Sequence, residues 1–252
     1  MSGFADAESS RSLRNMKKTV LYGALLGLIA AAFTAVSAQE EGFASLFNGK
    51  DLTGWTGDPA VWSVEDGALT GRTSDSGPAK LKYNTFLIYT GGVEIPDDFV
   101  LRFDIKLSRN GNSGMQYRSR VLEGDEPYRV GGYQADFDGA AVYSGICFGE
   151  GYYGFIAERG AVSEFGEDRQ LHTLARFAES DDLKADVKIE DWNSYEVIAR
   201  GYLMIHKING KVMSVFVDNN KDERRTSGIL AIQAHAGPPM EVQVKNVRIK
   251  AE

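Results

Sequence analysis

The chain has 252 residues, 43% of them hydrophobic and 25% charged, a globular composition that excludes disorder throughout, and its formal net charge of −7 argues against nucleic acid or anionic polymers as partners. Its one cysteine, Cys147, excludes an intrachain disulfide, so the fold must rest on an apolar core. The 28 glycines, with short runs rich in Val, Ile, Tyr and Phe between turn residues, favour strands over helices.

The first segment differs from the rest. Lys17 and Lys18 precede an apolar run from Val20 to Phe33 and a small-residue end at Val36-Ser37-Ala38. That order predicts a secretory signal peptide over residues 1–38, because a spanning helix needs about 20 apolar residues and this run is shorter. Cleavage removes Arg11, Arg14, Lys17 and Lys18 with Asp6 and Glu8, taking the mature net charge from −7 to −9. A secreted or periplasmic location follows, with no membrane contact after cleavage. Cys147 lies too far from the cleavage point to carry a lipid anchor there.

Residues 39–252 read as one domain, since no Pro- or Ser-rich linker and no repeat of fixed period divides them. "FASLFNGKDLTGWTG" carries the turn signals Asn48-Gly49 and Thr53-Gly54 and predicts a first hairpin region. "VWSVEDGALTG" predicts a second, turning at Asp66-Gly67, with Trp62 and Val64 on one face. Strand-like runs then follow from "TFLIYT" at Thr85 through "MEVQVKNVRIK" at Met240, about a dozen at the spacing of a sandwich. Ser163 to Asp191, charged and partly helix-periodic, is expected to be a long surface excursion with a short helix. The whole predicts an all-β, two-sheet jelly roll with one sheet face open.

Residues two apart on a strand share a face. On that rule Gln116 joins Arg118 opposite Met115 and Tyr117, Gln134 joins Asp136 opposite Tyr133 and Ala135, and Gln233 joins His235 opposite Ile232 and Ala234. If the three faces converge they form a polar, concave floor suited to a ligand dense in hydroxyls, a sugar above all. The alternative is the ordinary wet side of an antiparallel sheet. Trp55 reads as core, and Cys147, between Ile146 and Phe148, as buried and inert.

The segments "LFNGKDLTGW" (46–55), "GNSGMQYRSR" (111–120), "GYQAD" (132–136), "DWNSYEV" (191–197) and "HAGPPMEVQVKNVRIK" (235–250) together resemble the 3-keto-disaccharide hydrolase family. The resemblance implies a concanavalin A-like fold and, as substrates, glycosides already oxidised to a ketone at sugar C3, supplied by an upstream sugar C3-oxidoreductase. A ketone there acidifies the C2 proton. A base removes it, the C1 substituent leaves, and water adds across the new double bond, a net hydrolysis.

That chemistry asks for a base, an enolate stabiliser and an acid. Arg118 is the expected holder of the ketone oxygen, unless it is spent in a salt bridge with Asp136 or Glu150. His235 is the expected base or metal ligand. Asp136 and Glu150 are expected to act as acid and base or to join His235 around a divalent cation. Asn112, Gln116, Gln134 and Gln233 would orient hydroxyls, and Tyr143 would stack on a sugar ring. No Glu-x-Asp-x-x-Glu occurs, which weighs against direct acid hydrolysis of an ordinary glucan and leaves a non-catalytic, lectin-like module as the second reading.

Overall fold

Alternation from Leu101 to Leu107 shapes the strand Phe99–Leu107, whose Phe99, Leu101, Phe103, Ile105 and Leu107 are buried while Arg102, Asp104 and Lys106 face outward. The computed structural model describes residues 40–124 and 126–252, so the expected signal peptide of residues 1–38 lies outside the described residues. Among the described residues no helix is long and apolar enough to cross a membrane.

The larger of two sheets contains β1 (Ala44–Ser45), β3 (Trp62–Glu65), β4 (Ala68–Arg72), β6 (Phe99–Leu107), β11 (Ala161–Phe165), β12 (Leu171–Arg176), β13 (Asn193–Arg200), β14 (Leu203–Ile208), β15 (Lys211–Asp218) and β17 (Glu241–Ala251). The smaller contains β2 (Trp55–Thr56), β5 (Thr85–Tyr89), β7 (Asn112–Val121), β8 (Val130–Asp138), β9 (Cys147–Glu150), β10 (Gly154–Ala157) and β16 (Ile229–Ala234). In space the smaller sheet runs β10-β9-β8-β7-β16-β5-β2, and its pairings are antiparallel. The two sheets pack as a jelly-roll sandwich. Met115, Tyr117, Tyr133, Ala135 and Ile232 from the smaller sheet meet Phe103, Tyr195, Val197, Met204 and Phe216 from the larger in one apolar cluster.

The predicted turn at Asp66-Gly67 joins β3 to β4 with Glu65 opposite Ala68, and both turn residues have positive φ (49° and 73°), the conformation that matches strand twist. The expected first hairpin does not form. β1 pairs with β17 and β2 with β5, so the Asn48-Gly49 turn carries the chain from one sheet to the other. Trp55 is core as expected, its Nε1 donating to Leu46 O at 2.9 Å and its ring edge-on to Tyr89. The excursion is more ordered than its charge pattern suggested. β11 and β12 form a hairpin at the edge of the larger sheet, and only α1 (Ser180–Lys184) is helical.

Candidate active site

A hollow of about 320 Å³ lies on the outer face of the smaller sheet, lined by Asn84, Asn112, Gln134, Asp136, Tyr143, Phe148, Glu150, Phe155, Gln233 and His235. Seven of these ten, Asn112, Gln134, Asp136, Tyr143, Glu150, Gln233 and His235, were expected from sequence, and they line one hollow. Alternation puts Gln134 and Asp136 on it, opposite the core residues Tyr133 and Ala135. Gly114, paired with Asp136, makes room for them: a Cβ there would stand 2.6 Å from Gln134 Cγ and 2.8 Å from the Ala135 carbonyl.

Hydrogen bonds tie the pocket into one network. Gln134 Nε2 donates to Asp136 Oδ1 at 2.6 Å and weakly to Gln233 Oε1 at 3.4 Å. Gln233 Nε2 donates to Glu150 Oε2 at 3.2 Å, and Asn84 Nδ2 donates to Glu150 Oε1 at 3.1 Å. Both Glu150 oxygens therefore carry an amide donor. Asn84 also accepts the Ala236 N–H, which fixes the chain just past His235.

Asp136 is the most perturbed group here. Burial pushes its carboxyl up to about 8, with the negative charges of Asp138 and Glu150 adding to the rise and the Gln134 amide opposing it. It is thus largely a neutral acid at pH 7. With Oδ1 taken by Gln134, Oδ2 is the natural site for its proton. His235 has the complementary arrangement: its Nδ1 lies 2.6 Å from the Ala236 carbonyl, which can only accept, so Nδ1 carries the proton and Nε2 is left as an acceptor. Asn112 Oδ1 is buried without a protein partner, an acceptor available to a ligand hydroxyl.

Two expectations need correction. Arg118 does not join the pocket. A β-bulge between Tyr117 and Arg120 breaks the alternation, and Arg118 sits at φ 45° with its side chain buried elsewhere. Its guanidinium donates to the Asp97 carbonyl at 3.1 and 2.6 Å, to the Gly201 carbonyl at 2.7 Å and to Asp98 Oδ1 at 3.1 Å. Those contacts pin the start of β6 to the β13–β14 turn, far in role from a ketone. Gln116 is on the right face but beneath the pocket: its Nε2 donates to Gln134 Oε1 at 2.6 Å and its Oε1 accepts from Ser119 Oγ at 2.8 Å. It holds Gln134 instead of a substrate.

Asp136, Glu150 and His235 do line one pocket, yet among the described residues no three His, Cys, Asp or Glu side chains are grouped so as to hold a metal ion. Sequence reasoning missed Asn84, Phe148 and Phe155. Phe148 was legible, since it shares the Glu150 face two residues away; Asn84 precedes its strand and gave no signal. Cys147 is buried as expected, its thiol pushed up to about 12 by burial. A second hollow, about 220 Å³ on the outer face of the larger sheet, is occupied by mutually paired charges, with Arg102 and Lys207 both on Glu196.

Comparison with known proteins gives a match of residues 42–250 to the 3-keto-alpha-glucoside-1,2-lyase-like domain. Two solved candidate glycosyl hydrolases from Parabacteroides distasonis are similar in fold. One is 22% identical with a TM-score of 0.51, over 84% of this chain and 94% of its own. The other is 16% identical with a TM-score of 0.51, over 83% and 99%. No curated protein matches the chain.

Proposed function

This chain belongs to the 3-keto-alpha-glucoside-1,2-lyase-like domain family, and from that premise we propose that it cleaves glycosides carrying a ketone at sugar C3 by elimination followed by hydration. The observation that carries the reading is the pairing, in one pocket, of a buried carboxyl held protonated near neutral pH with an imidazole whose Nε2 is a free acceptor. Protonated Asp136 donates to the C3 ketone oxygen and strengthens that bond as the enolate forms, the role sequence reasoning gave to Arg118. His235 Nε2 takes the C2 proton. The C1–O bond breaks as C1=C2 forms, and the imidazolium returns the proton to the departing oxygen. Water then adds at C1 and a proton at C2. Glu150, held by Asn84 and Gln233, accepts a sugar hydroxyl, and Asn112 Oδ1 accepts another.

The test is incubation with a 3-keto glucoside and with its unoxidised parent. Cleavage of the keto form alone supports the reading, and Asp136→Asn and His235→Ala should each lower its turnover by roughly a hundredfold or more. A second reading, a glycan-binding module without turnover, draws on the exposed rings of Tyr143 and Phe155. Binding of the unoxidised parent with neither form cleaved would establish it. We further propose export by cleavage after Ala38, checked by the intact mass of the exported protein, and supply of substrate by a sugar C3-oxidoreductase.

A further inference from the structure

We propose that the leaving-group side of this pocket is built for an aromatic aglycone and not for a second sugar. The proposal deepens the glycoside-cleavage reading and rests on it. Phe148 on β9, Phe155 on β10 and Tyr143 on the β8–β9 loop form one wall. Tyr143 and Phe155 ring centroids stand 5.7 Å apart, and Phe148 meets Phe155 edge-on at 5.5 Å. Phe155 is 57% exposed, Tyr143 41% and neighbouring Val142 50%. Exposed large apolar groups are ordinary when scattered, but a cluster at a pocket mouth marks a surface that a ligand covers.

The loop that carries Tyr143 is tied down by hydrogen bonds. Asp138 accepts the backbone N–H groups of Val142, Tyr143 and Ser144 at 3.0, 2.7 and 2.9 Å. Beneath the same loop Arg159 donates to the Ser144 carbonyl at 2.8 Å and to the Ala141 carbonyl at 3.3 Å. A surface ordered in advance loses little entropy on binding a flat, stiff group.

The rings come from β9, β10 and the loop between β8 and β9, while the amides of Gln233 and Asn84 come from β16 and the entry to β5 and both donate to Glu150, the carboxylate that shares β9 with Phe148. Phe148 and Phe155 offer a second hexose only a stacking face and no hydrogen-bond partner, whereas a flat aryl ring can use that face in full. Its departure is also the easier one: when C1–O breaks, the electron pair goes to a phenolic oxygen, which takes the proton carried by the His235 imidazolium.

The experiment compares 4-nitrophenyl α-glucoside with maltose, each oxidised at C3 of the glucosyl ring whose bond is cut, on the wild type and on Phe155→Ala. The expected result is a roughly tenfold loss of kcat/KM on the aryl substrate, carried by KM, since one aromatic contact contributes about 0.5–1.5 kcal/mol. On the disaccharide the change should stay within about twofold. Equal losses on both would overturn the proposal and leave the cleavage reading standing. If neither is cleaved the cleavage reading fails, and calorimetric binding of the two unoxidised glycosides decides the wall: tighter binding of the aryl glucoside, lost in Phe155→Ala, upholds it, and equal binding overturns it. A dimer in solution that Phe155→Ala dissociates would show that a second copy covers the rings, which also overturns it.

Discussion

Arg118 shows how one residue's conformation can redirect a site. Period-two reasoning is sound for β7 up to Tyr117, and Arg118 departs from it only because a bulge inserts extra residues and turns its φ positive. Nothing in "GNSGMQYRSR" announces that bulge, so the error was not avoidable by pattern alone. Arg118→Ala should lower stability by roughly 2–4 kcal/mol, because the Asp97 and Gly201 carbonyls and Asp98 lose their donor. Chemical denaturation measures it, and in the folded fraction kcat should be near normal. Asp136 gives the opposite signature. Its proton is needed for catalysis and leaves near pH 8, so turnover should fall as pH rises through about 8. Asp136→Asn should be slow at every pH and should lack that alkaline limb, as a pH–rate series will show.

At the scale of elements, the sequence was most legible where alternation is long and uninterrupted. β8 and β16 could be placed with their faces correctly assigned, and between them they supplied Gln134, Asp136 and Gln233, with His235 just beyond β16. The two-residue strands were not legible. β1 and β2 have two residues each and no local partner, so their pairing is decided by distant strands that no window can see. β12 was hidden differently: all six of its residues are exposed, and a strand that buries nothing shows no apolar period. As an exposed edge beside the charged loop at Glu167 to Arg169, the β11–β12 hairpin should be the first site of tryptic cleavage. Mass spectrometry of brief digests should find cuts at Arg169, Arg176 or Lys184 before any inside β6, β8 or β16. Early cuts in those central strands would contradict the assignment of the sandwich core.

For the molecule as a whole, two buried titratable groups set opposing slopes of stability against pH. His206 lies between the sheets, accepting from Tyr117 O–H at 2.9 Å through Nε2 and donating from Nδ1 to the Ile146 carbonyl at 3.1 Å, and burial lowers it from 6.5 to about 4. The unfolded chain binds its proton more readily, so this contribution is complete above 6.5 and is lost as pH falls toward about 4. Asp136 is raised from 3.8 to about 8, so its contribution is complete below 3.8 and is lost as pH rises toward about 8. Thermal melts across pH should therefore show Asp136→Asn gaining stability relative to wild type at pH 9 but not at pH 3. The same buried carboxyl thus costs stability in alkali and supplies the acid for catalysis.

The central claim is that cleavage begins at C2, and the hydrogen on that carbon reports it. A 3-keto glucoside with ordinary hydrogen at C2 would be cleaved in D₂O and the released sugar examined promptly by NMR, against a control without protein. The account predicts one deuterium at C2 of the product, because the original proton leaves with the departing group and solvent supplies its replacement. Retention of the original hydrogen at C2 in the cleaved sugar would contradict it.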